Sequence, residues 1–351
     1  LGRGGEEDGV TLTQICTVEL IDYIKGLRDS LSPVQEVMDA VLEQHGIRVL
    51  IKRDDLIHPV ISGNKWRKLR HNLREAAMND HHTVLTFGGA FSNHIAATAH
   101  ACRNAGLDSI GIIRGDELKE EDLNSTLREA KRMGMELHFV SREAYRRKTE
   151  PEFLEELKTQ HGRFYAVPEG GANGLGVKGC AELLPEVDEH YDVVCCAAGT
   201  GTTLAGLRIS LPEGKQLLGF PALKGGEFLL DEVARMTEES RLRITVPQAA
   251  FSLVTDYHFG GYAKMTPELM RFIEGFQERT GIPLDPIYTG KMMFGIYDLI
   301  QKGRFEKGTT LLAIHTGGLQ GWEGIRHRAQ QSEREFSRQN EGGDLRDSGE
   351  D

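Results

Sequence analysis

The chain has 351 residues, 39% hydrophobic and 27% charged, which is enough apolar content to bury a substantial core divided between two lobes. A formal net charge of −11, with no Lys/Arg stripe interleaved with aromatics, excludes attraction to phosphate backbones or anionic lipid, so no nucleic acid is expected as partner. No run of about 18 apolar residues occurs, and the acid- and Gly-rich stretch Leu1 to Gly9 lacks the basic and apolar regions of a secretory leader, so neither membrane insertion nor export is expected.

From about residue 48 onward, β-branched apolar runs alternate with helical patterns, the rhythm of an α/β protein with parallel strands. Strands are expected at Val49 to Lys52, Val84 to Phe87, Ile110 to Ile113 and Leu137 to Val140. Four more follow at Phe164 to Val167, Val193 to Ala197, Leu217 to Phe220 and Thr310 to Ile314. Between them lie helices that include Lys65 to Met78, Asn93 to Asn104 and Leu204 to Ser210. The charged stretch Glu117 to Arg132 reads as a solvated helix face. Residues 327–351 are almost devoid of apolar side chains and read as a frayed helix and disordered tail. Cys16, Cys102, Cys180, Cys195 and Cys196 form an odd set without CxxC spacing, so no disulfide framework and no metal site is expected, and a reducing cytoplasm fits.

Chemistry-bearing residues gather where strands give way to helices, the place where parallel sheets bind ligands. In Ser62-Gly63-Asn64-Lys65, Asn64 reads as a helix cap and Lys65 stands in the opening turn, where the helix dipole favours the neutral amine that imine chemistry needs. Taken alone, a lysine there is more often a solvated surface residue. In Gly88-Gly89-Ala90-Phe91-Ser92-Asn93-His94, the small residues admit a ligand to the backbone, and Ser92 and Asn93 are suited to a carboxylate; the plainer reading is an ordinary cap with a half-buried His94. Ala197-Ala198-Gly199-Thr200-Gly201-Thr202-Thr203 offers successive N–H groups and hydroxyls to a phosphate. It has neither the nucleotide P-loop ending nor the G-x-G-x-x-G spacing, which points to a small monophosphate or else a tight turn. Last come Asp285-Pro286-Ile287-Tyr288-Thr289-Gly290-Lys291 and His315-Thr316-Gly317-Gly318.

In this order and spacing the segments resemble the fold-type-II pyridoxal phosphate enzymes, and within them the 1-aminocyclopropane-1-carboxylate deaminase and D-cysteine desulfhydrase family. The resemblance runs from about Leu31 to Gly321 and includes Lys52-Arg53-Asp54-Asp55-Leu56. It implies a tryptophan-synthase-β-like fold of two open twisted parallel-sheet lobes. The large cofactor lobe would be built from 1–65 and 169–326, and the smaller lobe from 66–168. It further implies pyridoxal 5'-phosphate held covalently on Lys65, a phosphate cradle at Gly199, Thr200, Gly201, Thr202 and Thr203, and a substrate carboxylate bound by Ser92 and Asn93 with His94 adjacent. Asn93 would also touch the cofactor, Tyr288 would pack beside it, and the protein would be a homodimer acting on a small amino acid.

Deaminases of the cyclopropane amino acid resemble this chain but usually carry Glu after the tyrosine, Leu before the final Gly-Gly and Gln after Ser-Asn. Here those places hold Thr289, Thr316 and His94. A hydroxyl beside the pyridine nitrogen makes a weaker electron sink than a glutamate, which favours β-elimination over ring opening and a D-cysteine desulfhydrase-like activity. The second active-site tyrosine is either Tyr257 or Tyr262 of Asp256-Tyr257-His258-Phe259-Gly260-Gly261-Tyr262. Two other classes stay open: a cofactor carrier without turnover, and a nucleotide binder, the latter disfavoured by the missing loop lysine.

Overall fold

A computed structural model describes residues 32–61, 63–120, 123–243 and 250–322. The expected tail, the first residues, Cys16 and Ser62 lie outside the described residues. The chain builds two sheets. The larger has the order β1-β2-β10-β7-β8-β9, from β1 (Val34–Glu36), β2 (Arg48–Lys52), β7 (Val193–Ala198), β8 (Gln216–Pro221), β9 (Phe251–Leu253) and β10 (Thr310–Ile314). The smaller has the order β5-β4-β3-β6, from β3 (Thr83–Gly88), β4 (Asp108–Arg114), β5 (Glu136–Val140) and β6 (Tyr165–Val167). All pairings are parallel except β1 with β2. The protein is therefore an α/β protein of the expected class, and every expected strand is present to within two residues.

The short edge strands β1 and β9 were not expected, because three residues carry too little periodicity to be read. The stretch Glu117 to Arg132 is not one solvated face: a 3-10 turn at Asp116–Glu120 precedes a helix at Ser125–Arg132, which Asn124 caps and which buries Leu127 and Ala130.

Uninterrupted apolar strands make sense in a sheet covered on both sides. Alternate residues of β7 divide between two cores: Val193, Cys195 and Ala197 meet the Pro267–Thr280 and Thr289–Gln301 helices, while Val194, Cys196 and Ala198 meet the Thr202–Ser210 and Leu229–Glu239 helices.

Two close helix contacts set the position of the lysine segment. The Gly174–Ala181 helix lies between the Asn64–Met78 and Thr202–Ser210 helices. A side chain at Gly179 would run into the Arg67 carbonyl, and one at Gly206 into Cys180. Without side chains at these points the three backbones approach closely, which brings the start of the lysine helix beside the start of the Thr202–Ser210 helix.

A buried ion network secures the same region. Arg67 grips Asp54 through Nε at 2.5 Å and Nη2 at 2.8 Å, and reaches Glu186 at 2.8 and 2.9 Å. Arg53 forms a matching fork on Asp55 at 2.9 and 2.7 Å. Burial alone would raise the Asp54 carboxyl, but the charge and hydrogen bonds of Arg67 hold it below the usual range. The Lys-Arg-Asp-Asp stretch is thus a structural clamp behind the lysine segment.

Candidate active site

Lys65 is the second residue of the Asn64–Met78 helix. The cap is Gly63, in the left-handed half of backbone space (φ 60°), and not Asn64 as expected. A Cβ on Gly63 would strike the Thr316 carbonyl, which accepts a hydrogen bond from the Asn64 N–H at 3.2 Å. Freed from capping, the Asn64 side chain donates to Thr203 Oγ1 at 3.2 Å and accepts from Lys65 Nζ at 3.1 Å, bridging the lysine to the Gly/Thr loop.

The Lys65 residue is partly accessible, yet its amine is so enclosed by protein that its pKa falls to about 7. Burial is the main cause and the neighbouring Lys68 ammonium the second, opposed by Cys180 and Asp285. The helix dipole invoked from sequence is not needed to explain it.

Lys68 was not singled out in the sequence, and it completes the electrostatics. It is 4% exposed, and no carboxylate of the described residues pairs with it. Burial lowers its pKa, and only the Cys180 and Cys196 thiols oppose that. An unpaired buried cation is costly, and an anion bound beside it removes the cost. Its place one helical turn after Lys65 was the available signal.

The Gly/Thr loop supplies a berth for such an anion. The Thr202–Ser210 helix starts two residues earlier than expected, so Thr202 and Thr203 lie in its first turn. Its cap, Gly201 (φ 80°), has no side chain to offer, so the opening N–H groups carry no cap hydrogen bond. Thr200 and Thr202 share a hydroxyl contact of 3.0 Å. A Cβ on Gly199 would come within 3.1 Å of the Tyr288 ring, so glycine is what lets that ring lie over the loop. Bare N–H groups and hydroxyls with an unpaired buried lysine nearby fit a phosphate, and an amine near neutrality fits the aldehyde of pyridoxal phosphate.

Tyr288 belongs to a turn organised by Asp285, which is fully buried. One Asp285 oxygen accepts the N–H groups of Ile287 and Tyr288 at 2.9 and 2.8 Å. The other accepts the Thr289 N–H at 2.8 Å and the Thr289 hydroxyl at 2.6 Å. Thr289 Oγ1 also accepts from the Asp285 N–H at 2.9 Å. The hydroxyl expected to face the cofactor ring thus has its only proton committed to Asp285. Thr316, by contrast, is 7% exposed, makes no side-chain hydrogen bond with a described residue, and lies against the lysine segment.

The two candidate tyrosines separate clearly. Tyr262 sets its ring edge-on to Tyr288, with centroids 6.2 Å apart, whereas Tyr257 donates to Asp298 at 2.6 Å and packs on Phe220 and Phe294. Burial first, and then Tyr262, hold the Tyr288 phenol well above its usual pKa, so it keeps its proton. Lys291 fixes the Tyr262 segment from below, donating to the His258 and Gly261 carbonyls at 2.8 Å each; burial brings its pKa down to about 8.

On the smaller sheet, Ser92 caps the Asn93–Asn104 helix with a long 3.4 Å bond from the Ile95 N–H. Asn93 faces Gly318 of the final loop, its amide 3.4 Å from where a Cβ there would stand. His94 is 2% exposed; its Nε2 meets Thr86 Oγ1 at 2.9 Å and its Nδ1 completes no hydrogen bond. Burial, then the Lys65 and Lys68 charges, keep it neutral. Its imidazole is thus enclosed in the core against strand β3.

The family described as pyridoxal-phosphate dependent enzyme matches residues 33–317. A protein of Pyrococcus horikoshii that bears the name 1-aminocyclopropane-1-carboxylate deaminase provisionally is 34% identical over 299 residues, covering 83% of this chain and 90% of its own. An Arabidopsis thaliana mitochondrial protein, named as a bifunctional D-cysteine desulfhydrase/1-aminocyclopropane-1-carboxylate deaminase, is 31% identical over 297 residues, covering 79% of this chain and 74% of its own. The crystal structure of an ACC deaminase homologue superposes with a TM-score of 0.73 at 33% identity, covering 86% of this chain and 95% of that one. A lysine near neutrality beside a bare phosphate berth, in a chain matched along most of its length, makes this protein a fold-type-II pyridoxal-phosphate-dependent enzyme of the 1-aminocyclopropane-1-carboxylate deaminase and D-cysteine desulfhydrase family.

Proposed function

We propose that the enzyme eliminates the β-substituent of a small amino acid, as a D-cysteine desulfhydrase does, in preference to opening the ring of 1-aminocyclopropane-1-carboxylate. With cysteine and water the products are pyruvate, ammonia and sulfide. The observation that carries this reading is the Asp285 turn. Its carboxylate already accepts four hydrogen bonds, whereas Thr316, whose backbone carbonyl lies against the lysine segment, has a neutral hydroxyl that bonds to no described residue. No glutamate stands at position 289 to protonate a ring nitrogen.

When bound, pyridoxal phosphate supplies the electron sink for the bonds at the α-carbon. The chain's own residues do the rest. The Gly199 to Thr203 amides and hydroxyls, with Lys68, would hold the phosphate, and Thr316 would meet the ring nitrogen through a weak hydrogen bond. Ser92 and Asn93 would hold the substrate carboxylate, and that grip sets which bond at the α-carbon stands perpendicular to the ring. Lys65 Nζ, with a pKa of about 7, is poised to accept the α-proton near neutral pH. Tyr288, held protonated, keeps an O–H donor beside Gly199 of the Gly/Thr loop.

A cyclopropane substrate has no α-proton, so its ring opening depends more heavily on a strong sink. That reaction is the second reading, supported by the names of the relatives. Four described cysteines are buried and unpaired, which supports a reducing, cytoplasmic setting; a homodimer belongs to the same proposal.

The test is product release over both cysteine enantiomers, β-chloroalanine, serine and the cyclopropane amino acid. Pyruvate from a cysteine or chloroalanine isomer should outpace 2-oxobutanoate from the cyclopropane; the reverse order overturns the proposal. Thr316→Val should shift the absorbance of the bound cofactor and lower turnover about tenfold, a barrier change of about 1.4 kcal/mol. Thr289→Val should act mainly on stability.

A further inference from the structure

The outer edge of the smaller sheet carries a polar cluster that the reaction does not use. Strand β5 is the last strand of that sheet, and its Glu136 and His138, two residues apart, share one face. In register they lie beside Ile110 and Ile112 of β4. Those isoleucines pack in one core cluster with Phe153 and Leu157 of the Pro151–His161 helix. The helix row Phe153, Leu157 continues at the same four-residue interval to His161, its last residue. Where the strand face and the helix row leave the apolar core they meet in two imidazoles and a carboxylate.

The geometry is close. His138 Nε2 lies 2.7 Å from Glu136 Oε1, and the His138 and His161 ring centroids are 4.1 Å apart at 67°. One ligand atom from each of the three residues lies within 4.8 Å of the other two. A tetrahedral zinc ion with ligands at about 2.0–2.2 Å draws its donor atoms to just over 3 Å from one another, so rotamer adjustments of about an ångström close the set. His138 is about one-third exposed and Glu136 about two-thirds, so an ion can enter from solvent and keep a water as further ligand.

We infer that Glu136, His138 and His161 form a surface site for a divalent transition metal of the zinc class. The donor set, two imidazoles and one carboxylate, suits zinc or cobalt better than calcium or magnesium, which prefer oxygen alone. An ion held there clips the edge strand to the end of the helix that covers it. The residues lie 25 and 23 positions apart from helix end to strand, a separation at which no ligand spacing is readable in sequence.

The test uses the full-length enzyme with its cofactor. Equilibrium dialysis against zinc should show one more tightly held ion per chain in the unmodified protein than in His161→Ala. Glu136→Gln, a near-isosteric change at an exposed position, should weaken that ion about tenfold or more. Cobalt should give the intense visible absorption of four- or five-coordination in the unmodified protein and lose it in both variants. Turnover without added metal should be the same in all three. Equal zinc stoichiometry and affinity in the unmodified protein and Glu136→Gln, or only the weak spectrum of six-coordinate cobalt, would overturn the assignment.

Discussion

Two helices begin beside Lys65, and they begin differently. At the Thr289–Gln301 helix, the buried Asp285 carboxylate receives the N–H groups of Ile287, Tyr288 and Thr289 and the Thr289 hydroxyl. At the Thr202–Ser210 helix, the cap is glycine and no side chain of the described residues answers the opening N–H groups. Both helix starts present positive partial charge. The first is satisfied from within and becomes a rigid support for Tyr288. The second receives no carboxylate from the described residues, and Lys68 has no carboxylate partner among them, which is what the proposed phosphate site requires. The same structural feature is scaffold in one place and candidate binding site in the other, and the presence of an internal carboxylate makes the difference.

The contrast depends on Lys65 holding the group whose phosphate fills the bare start. Lys65→Ala should remove the yellow absorbance and lower turnover by more than about a thousandfold, since it deletes both the anchor and the proton acceptor. Borohydride reduction of the unmodified protein should fix the cofactor on Lys65; fixation on Lys68 or Lys291 would break the comparison.

A smaller effect comes from giving the bare start its own anion. Thr200→Asp and Thr200→Asn both replace an exposed hydroxyl of the loop that leads into this start, but only Asp adds charge. Cofactor affinity should fall about tenfold further in Thr200→Asp than in Thr200→Asn, measured by absorbance titration. Equal losses would mean that the site does not read phosphate charge.

The converse change removes the internal anion. Asp285→Ala leaves buried N–H groups without partners and should cost about 3 kcal/mol in denaturant unfolding, with cofactor affinity in the folded fraction less affected. A loss below about 1 kcal/mol would show that the turn is held by something else.

The mildest effect is in pH dependence. Lys65 in the folded apoprotein has a pKa of about 7, below its unfolded value near 10.4. Between these values the unfolded chain binds more protons, so apoprotein stability rises with pH across that window, and the burial penalty is present in full below about pH 7. Lys65→Met apoprotein should therefore be the more stable of the two at pH 6 to 7, with the advantage shrinking toward pH 10. A constant difference across that range would show that the amine is not enclosed as described.

Amino-acid order by itself determined the α/β class, the main strands and the loops that carry the chemistry. Val193 to Ala197 or Val84 to Phe87 can be read locally because a strand covered on both faces has to be apolar throughout, and Gly, Ser and Thr at its end mark a turn into a helix. Tertiary structure decided which atoms of those loops are free. The Thr289 hydroxyl is taken by Asp285 while that of Thr316 is not, Tyr262 reaches Tyr288 while Tyr257 turns to Asp298, and Asn64 leaves the cap to bridge Lys65 and Thr203. Lys68 and His94 are buried because the Glu169–Gly171 turn packs against both and strand β3 offers Thr86 to the His94 ring. A side chain's type is set one residue at a time, but the competition for its donors and acceptors is settled among partners far apart in sequence, and that competition decides whether a polar group supports the fold or remains available to a ligand.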